Sequence, residues 1–232
     1  MVKARRRAWS GWKPSPLVAG ILVALVASFV LFTASPLGGF ARAHLALVPA
    51  RLWHQPWTLL SSALLHASLG ALISSALGLW FFGGPLGDAL GARKAAVVLI
   101  VATIAGSLAS GLLGLKLQPN AVLTGAAPAT MAAIAGFGAV YGNAPVRLFG
   151  VSQLKASTCA IAFLILSGVL YLMSGDLLGL AGAAAGAAVG AASTLEIDIA
   201  FLRQPLAKLR RWRIRRRYRV LPGGRDTRRF QN

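Results

Sequence analysis

The sequence is short of the residues that metal centres, disulfide scaffolds and soluble surfaces are made from. Cys159 is the only cysteine in 232 residues, and it lies in an apolar run, which excludes a disulfide framework and a cysteine-rich metal site. The three histidines, His44, His54 and His66, come without a matching carboxylate cluster, so neither zinc nor any other metal or cofactor is expected. No histidine follows His66, which leaves most of the chain without an imidazole base. Charged residues make up 12% of the chain, against about 25% in soluble domains.

Apolar sequence fills the space. Hydrophobic residues are 56% of the chain and the mean hydropathy is +0.68. Charge-free apolar windows fall at 17–35, 57–82, 95–115, 121–140, 156–173 and 177–195. A helix needs about 20 mostly apolar residues to cross the hydrocarbon. The expected fold class is therefore all-α, a polytopic membrane protein with six transmembrane helices. The first window is longer than the ~7–15-residue apolar core of a signal peptide and is read as a span. The expected organisation is a basic N-tail at 1–16, a membrane domain at 17–200 and a basic C-tail at 201–232.

The net charge of +19 is unevenly placed. Six spans put both tails on one side. That side would carry Lys3, Arg5, Arg6, Arg7 and Lys13, the loop cations Arg93, Lys94, Arg147 and Lys155, and twelve Lys/Arg between Arg203 and Arg229. The other side would hold only Arg42, Arg51 and Lys116. Cytoplasmic loops carry the excess of Lys/Arg, so both termini are expected in the cytoplasm, in a bacterial inner membrane.

The C-tail run Lys208-Leu-Arg-Arg-Trp-Arg-Ile-Arg-Arg-Arg-Tyr-Arg219 contains Arg210, Arg211, Arg213, Arg215, Arg216 and Arg217. Arginine with aromatics also suits nucleic acid. A basic run next to a span fits anionic phospholipid better, at about 1 kcal/mol per cation near the surface. Trp212 and Tyr218 would then lie at headgroup level.

Two helices have local signatures. Thr124-Gly-Ala-Ala127-Pro128 stands where the fourth span should begin, and a proline is tolerated in a first turn because its missing N–H would be unpaired there anyway. The sixth span reads Gly179-Leu-Ala-Gly182-Ala-Ala-Ala-Gly186-Ala-Ala-Val-Gly190, with small residues every fourth position. Such a face lets helix backbones approach closely. Gly182 and Gly186 are expected to pack the sixth helix on the fourth.

From about Leu47 to Gly190 the chain resembles the rhomboid intramembrane serine proteases. Trp57 matches the tryptophan of a Trp-Arg pair, with Thr58 at the arginine position. His66 matches the first histidine of a His-x4-His-x3-Asn pattern. Leu79-Trp-Phe-Phe-Gly83 matches the end of the second helix, Leu86 and Leu90-Gly-Ala-Arg-Lys94 the turn after it, and Pro145-Val-Arg-Leu-Phe-Gly150 the loop between helices four and five. Gly182 and Gly186 match the Gly-x3-Gly of the last helix.

The resemblance implies a catalytic serine on helix four and a base histidine on helix six, with the serine attacking while the histidine takes its proton. The serine would stand third in Gly-x-Ser-Gly; that segment here is Gly125-Ala-Ala127-Pro128. The histidine would stand three residues before Gly182, at Gly179. The second histidine and the asparagine of helix two, beside the oxyanion, fall on Ala71 and Ser75. Thr124 and Thr130 flank the serine position but lack a base in the matching place. Loss of nucleophile or base costs a serine hydrolase around 10⁶ in rate.

The expectation is a proteolytically inactive rhomboid-like protein without catalytic residues. His66 is expected near the outer end of helix two, hydrogen-bonded to the first periplasmic loop. Relatives that lack catalysis bind other membrane proteins, so the resemblance implies partners recognised through their transmembrane segments. The rival functions are an active rhomboid protease and a fixed structural subunit of a larger membrane complex.

Overall fold

In the computed structural model of the chain, residues 15–34, 37–148 and 152–193 are described. The C-tail from 201 onward, its arginine run and the domain boundary expected at 200 lie outside them, as does the N-tail up to residue 14. Helix α1 (Pro16–Ala34) is followed by α2 (Leu37–His44), a 3₁₀ turn at Pro49–Arg51, and α3 (Thr58–Ser61) running into a 3₁₀ turn at Ser62–Leu64. Next come α4 (Leu69–Gly78), a π-helical turn at Leu79–Gly83, α5 (Gly84–Leu90), α6 (Ala92–Leu117) and α7 (Ala127–Tyr141). A hairpin of β1 (Pro145–Leu148) and β2 (Ser152–Lys155) leads into α8 (Ala156–Met173) and α9 (Leu177–Ala192).

The all-α membrane bundle is present, and each of the six apolar windows contributes one helical column. Four columns are long and apolar enough to cross a membrane: Pro16–Thr33, Leu69–Leu90, Ala92–Leu117 and Ala156–Met173. The other two, α7 and α9, have 15 and 16 residues. Every residue of α7 from Pro128 to Gly138 is buried. Its surroundings are therefore protein rather than lipid, and its length need not match the hydrocarbon. The hairpin, with Val146 opposite Leu154, is the one strand pair among the described residues and lies in a loop.

Two column starts differ from the hydropathy windows. The second column begins at Leu69, not near 57. Ser68 is extended, and its hydroxyl accepts from the Ala71 N–H at 3.2 Å, so it caps α4. Residues 57–68, although apolar, form short turns instead. The same column runs on to Leu90 through the π turn, just ahead of Pro85, whose ring cannot sit under a regular α-helical carbonyl four residues back. The fourth column begins at Ala127, not 121. Leu123 is paired with Leu47 through hydrogen bonds of 2.8 and 3.1 Å, which holds the preceding segment extended. Gly125, at φ +115°, turns the chain into the helix.

The loops gather at two ends. At one end Ser15 lies beside Gly87, and the Tyr141 hydroxyl donates to the Pro85 carbonyl at 3.0 Å. This near end holds residues 15 and 193. At the far end, Ala50 donates to Pro119 at 2.8 Å, Gly125 to Ser62 at 3.0 Å, and Trp57 Nε1 to the His44 carbonyl at 2.8 Å.

The core is organised by α9, which packs between α6 and α7. A Cβ on Gly186 would stand 2.7 Å from the backbone carbon of Pro128, and one on Gly190 would stand 2.7 Å from that of Ala132. On Gly182 it would strike Ser110 Oγ and lie 3.2 Å from the Gly106 carbonyl oxygen. Gly182 therefore faces α6. The expectation that it packs on the fourth helix is corrected; Gly186 and Gly190 make that contact. The reason is the helical twist, because residues at four-residue spacing drift round the axis at 3.6 residues per turn. Ser110 Oγ donates to the Leu178 carbonyl at 2.7 Å and adds a polar tie between α6 and α9.

Gly186→Ala is expected to lower the melting temperature in detergent, since overpacking against backbone costs about 1–3 kcal/mol or more. Gly20→Ala and Gly168→Ala, where a Cβ meets no atom within 4 Å, are expected to leave it unchanged or raise it. Equal effects at all three positions would show that α9 does not depend on this contact.

Candidate functional site

The singled-out residues converge on the far end of α4, α7 and α9. The buried face of α4 carries Leu72 and Ser75. One turn further on, a Cβ on Gly78 would strike the Thr130 side chain of α7. Both helices run from the far end toward the near end. Ser75 therefore stands at the level one turn before Thr130, which is the first turn of α7 around Ala126 and Ala127. Ala71 is exposed on α4, and Ala127 and Gly125 are half-buried.

That first turn is built from small residues. Ala126 and Ala129 are buried, Pro128 occupies the turn, and a Cβ on Gly125 would meet no atom within 4 Å. Thr130 does not turn its hydroxyl outward. Its Oγ1 donates to the Ala126 carbonyl at 3.1 Å. Ala126 is the N-cap and offers no side-chain acceptor to the free N–H groups.

Gly179 is the third residue of α9. Its N–H donates to Asp176 Oδ1 at 2.7 Å, which makes Asp176 the N-cap of the helix. The space a side chain at 179 would enter is taken. A Cβ there would strike Asp176 Oδ2 and stand 2.6 Å from the Tyr171 ring of α8. Tyr171 packs on the same core cluster as Ala126, Ala129 and Ala183. Neither Tyr171 nor Asp176 was picked out in the sequence. The cap has a local signal, an aspartate just before an apolar run, whereas nothing local marks Tyr171.

His66 is not on the second membrane helix. It lies in the stretch before α4, and the hydrogen bond expected to the first loop is absent. Both ring nitrogens are buried without a partner among the described residues. Burial pushes the imidazole pKa below its ordinary value of 6.5, with the backbone at Leu64 pulling the other way. The chain turns extended at Leu65, so the ring is carried by loop rather than helix.

Helix α8 joins the bundle mainly by its near-end turn, where Ala156, Cys159 and Ala160 are buried. Phe163 reaches Phe82 with ring centroids 5.3 Å apart, and Phe82 meets Phe137 at the same distance. Beyond that aromatic step the helix is mostly exposed, at Ile165, Leu166, Leu170 and Leu172. Helix α4 is likewise exposed at Leu69, Ile73 and Leu77, and the two helices share no substantial contact. Among the described residues no three metal-ligating side chains cluster.

The Rhomboid domain family matches residues 53–196, more than half of the chain, and the chain belongs to the rhomboid family. The matched segment runs from Trp53 past the end of α9 and leaves out α1 and α2. No curated protein matches the chain.

Two outcomes follow from the geometry. Gly179→His must displace Tyr171 or Asp176 and is expected to cost about 1–3 kcal/mol, read as a lower melting temperature, whereas Ala127→Ser at the half-buried helix start is expected to be nearly neutral. His66 is neutral in the folded protein but takes up a proton below 6.5 when unfolded. Its contribution to stability is therefore complete above that pH and is lost as pH falls from 6.5 toward the lowered folded value. His66→Leu is expected to flatten this acid-side decline in melting temperature, and an unchanged profile would show that the ring is not desolvated.

Proposed function

We propose that this rhomboid-family protein does not hydrolyse peptide bonds and instead binds transmembrane segments of other membrane proteins, retaining them or helping to assemble them. The observation that carries the proposal is Ala127 at the position of the nucleophile together with Gly179 at the position of the base. A methyl group cannot attack a carbonyl, and no histidine follows His66 to take the proton. The nearby hydroxyl of Thr130 is committed to a carbonyl in its own helix. The space above Gly179 is filled by Tyr171 and Asp176.

What supports binding is the surface that remains. Gly125 and Ala127, both half-buried, present small residues at the start of α7. Between helices in lipid, the hydrophobic effect gives no net drive, and van der Waals packing against small residues supplies the association. An unwound segment would need partners for its freed backbone groups at several kcal/mol each. A client on this surface stays helical and uncut.

The near end is assigned to the cytoplasm of a bacterial inner membrane. This places Arg93, Lys94 and Lys155 on the cation-rich side. The run containing Arg210, Arg211, Arg213, Arg215, Arg216 and Arg217 is assigned to anionic phospholipid.

The test has two arms. Incubation with a fluorophosphonate probe and a rhomboid-susceptible transmembrane reporter is expected to give neither labelling nor cleavage above a no-protein control; either signal would overturn the loss of proteolysis. Cysteine placed at Ala71 or Ala127, with the buried native Cys159 as low background, is expected to crosslink to co-purified membrane proteins. Crosslinks formed only from exposed positions of α1 and α6 would remove the site from the binding reaction and favour a fixed subunit of a larger complex.

A further inference from the structure

His66 is a buried ionisable group that the proposed binding does not use. It lies between the 3₁₀ turn at Ser62–Leu64 and Ser68, the cap of α4. Both ring nitrogens are buried, and neither has a hydrogen-bond partner among the described residues. Two residues back, the Leu64 carbonyl accepts from the Ser28 hydroxyl of α1 at 2.7 Å. The same hydroxyl lies 2.9 Å from the Leu25 carbonyl of its own helix. A hydroxyl has one proton to donate, so it serves one of these carbonyls at a time.

A neutral imidazole presents one donor and one acceptor, whereas an imidazolium presents two donors. The segments around the ring offer that charge no counterion. Helices α1, α3 and α4 and the Ser62–Leu64 turn carry no ionisable side chain. Helix α2, whose Ala41 packs on Leu65, carries Arg42 and His44, of the same sign as the protonated ring. Burial opposes the charged ring, and the backbone at Leu64 favours it. The described carboxylates, Asp88 at the near end and Asp176 at the α9 cap, play no part in this balance. A backbone group that favours a donor-only ring is an acceptor, so the charged ring turns to the Leu64 carbonyl.

We propose that the His66 imidazole and the Ser28–Leu64 hydrogen bond form an acid-operated latch between α1 and the loop that leads into α4. At neutral pH the ring is uncharged and Ser28 holds the Leu64 carbonyl. In acid, a proton from water enters the ring, an imidazolium N–H takes the Leu64 carbonyl, and the Ser28 hydroxyl swings back to Leu25. The exchange leaves no hydroxyl unpaired on α1, because the Leu25 carbonyl is already within reach. What is lost is the polar tie from α1 to the far-end loop. Beyond Ser28, α1 meets that loop through Phe32, which packs on the cluster of Ala41, Ala46 and Leu65. In lipid such an apolar contact has van der Waals packing alone to keep it. The far end faces the periplasm in the proposed orientation, where the latch meets the pH of the surroundings; the latch itself does not rest on that orientation.

The experiment uses the full-length protein in phosphatidylcholine bilayers, with the buried Cys159 replaced by alanine. Cysteines at Val30 of α1 and Leu60 of α3, both exposed, carry spin labels, and their distance distribution is measured by double electron–electron resonance. One narrow distance is expected at neutral pH, and a second, longer population is expected to appear below 6.5. A control pair at Leu112 of α6 and Leu177 of α9, also exposed, is expected to keep one distance throughout. His66→Leu and His66→Gln do not titrate and are expected to lose the acid population. His66→Gln keeps a polar side chain in place, so the comparison stands if His66→Leu does not fold. Ser28→Ala is expected to show the longer population already at neutral pH.

A single unchanged distance in the native protein across this pH range would overturn the latch. So would an acid population that persists without His66, or a Ser28→Ala protein that stays narrow at neutral pH. Movement of the control pair together with the first pair would mean acid unfolding of the bundle rather than release of α1, and would overturn it as well. None of these outcomes depends on client binding or on which end faces the cytoplasm.

Discussion

Pro128 is where three helices meet, and the rest of the bundle follows from that contact. Its backbone lies against Gly186 of α9, and a Cβ on Gly106 of α6 would collide with its ring. A Cβ on Gly106 would also lie 2.7 Å from the Gly182 carbonyl oxygen. In lipid there is little gain in bringing one apolar helix against another unless their backbones come close enough for dense packing. Glycine at 106, 182, 186 and 190 makes that approach possible, and the proline ring fills the small volume left where the helices cross. Helix α7 is held at the centre, surrounded by protein, which is why 15 residues suffice for it.

The same contact fixes the candidate site. Proline tolerates only the first turn of a regular helix. Seating Pro128 on Gly106 and Gly186 therefore decides where α7 begins and how deep its first turn lies. The Gly78–Thr130 approach then sets α4 in register against α7, which puts Ser75 one turn before that level. The far-end loop is tied to the chain just before that turn by the Leu47–Leu123 pair and by the Gly125–Ser62 hydrogen bond. By contrast, among the described residues α1 is buried only at Val18 and Leu25, and α8 only at its near-end turn. Burial is concentrated around the site and falls off toward α1 and α8.

The sequence was most informative where one residue type does one job. Hydropathy located all six columns, and the fifth window, 156–173, coincides with Ala156–Met173. The sixth column's glycine ladder was readable as a packing face. Its partners were not, because spacing alone does not say which of two neighbours each glycine meets; Gly182 turned out to face α6. Hydropathy also counted residues 57–68 and 121–126 as membrane helix. Apolar loops folded over the end of a bundle satisfy the same criterion, and only the cap at Ser68 and the Gly125–Pro128 turn mark where the helices start. Tyr171 was invisible for a different reason. It fills the space over Gly179 from another helix, and such a contact depends on how α8 leans against α9 rather than on any local pattern.

Substitution can erase a catalytic side chain more easily than it can erase a catalytic environment. The resemblance sets Ala127 and Gly179 at the nucleophile and base positions, and neither side chain carries an oxygen or an imidazole. The main-chain N–H groups at the start of α7 do not depend on side-chain identity, and they persist as long as the helix begins there. Only a proline or a capping side chain would silence them. The chain has one such proline, Pro128, and it removes a single donor while anchoring the helix against α6 and α9. The remaining donors stay in place because the packing that positions them is the packing that holds the bundle together.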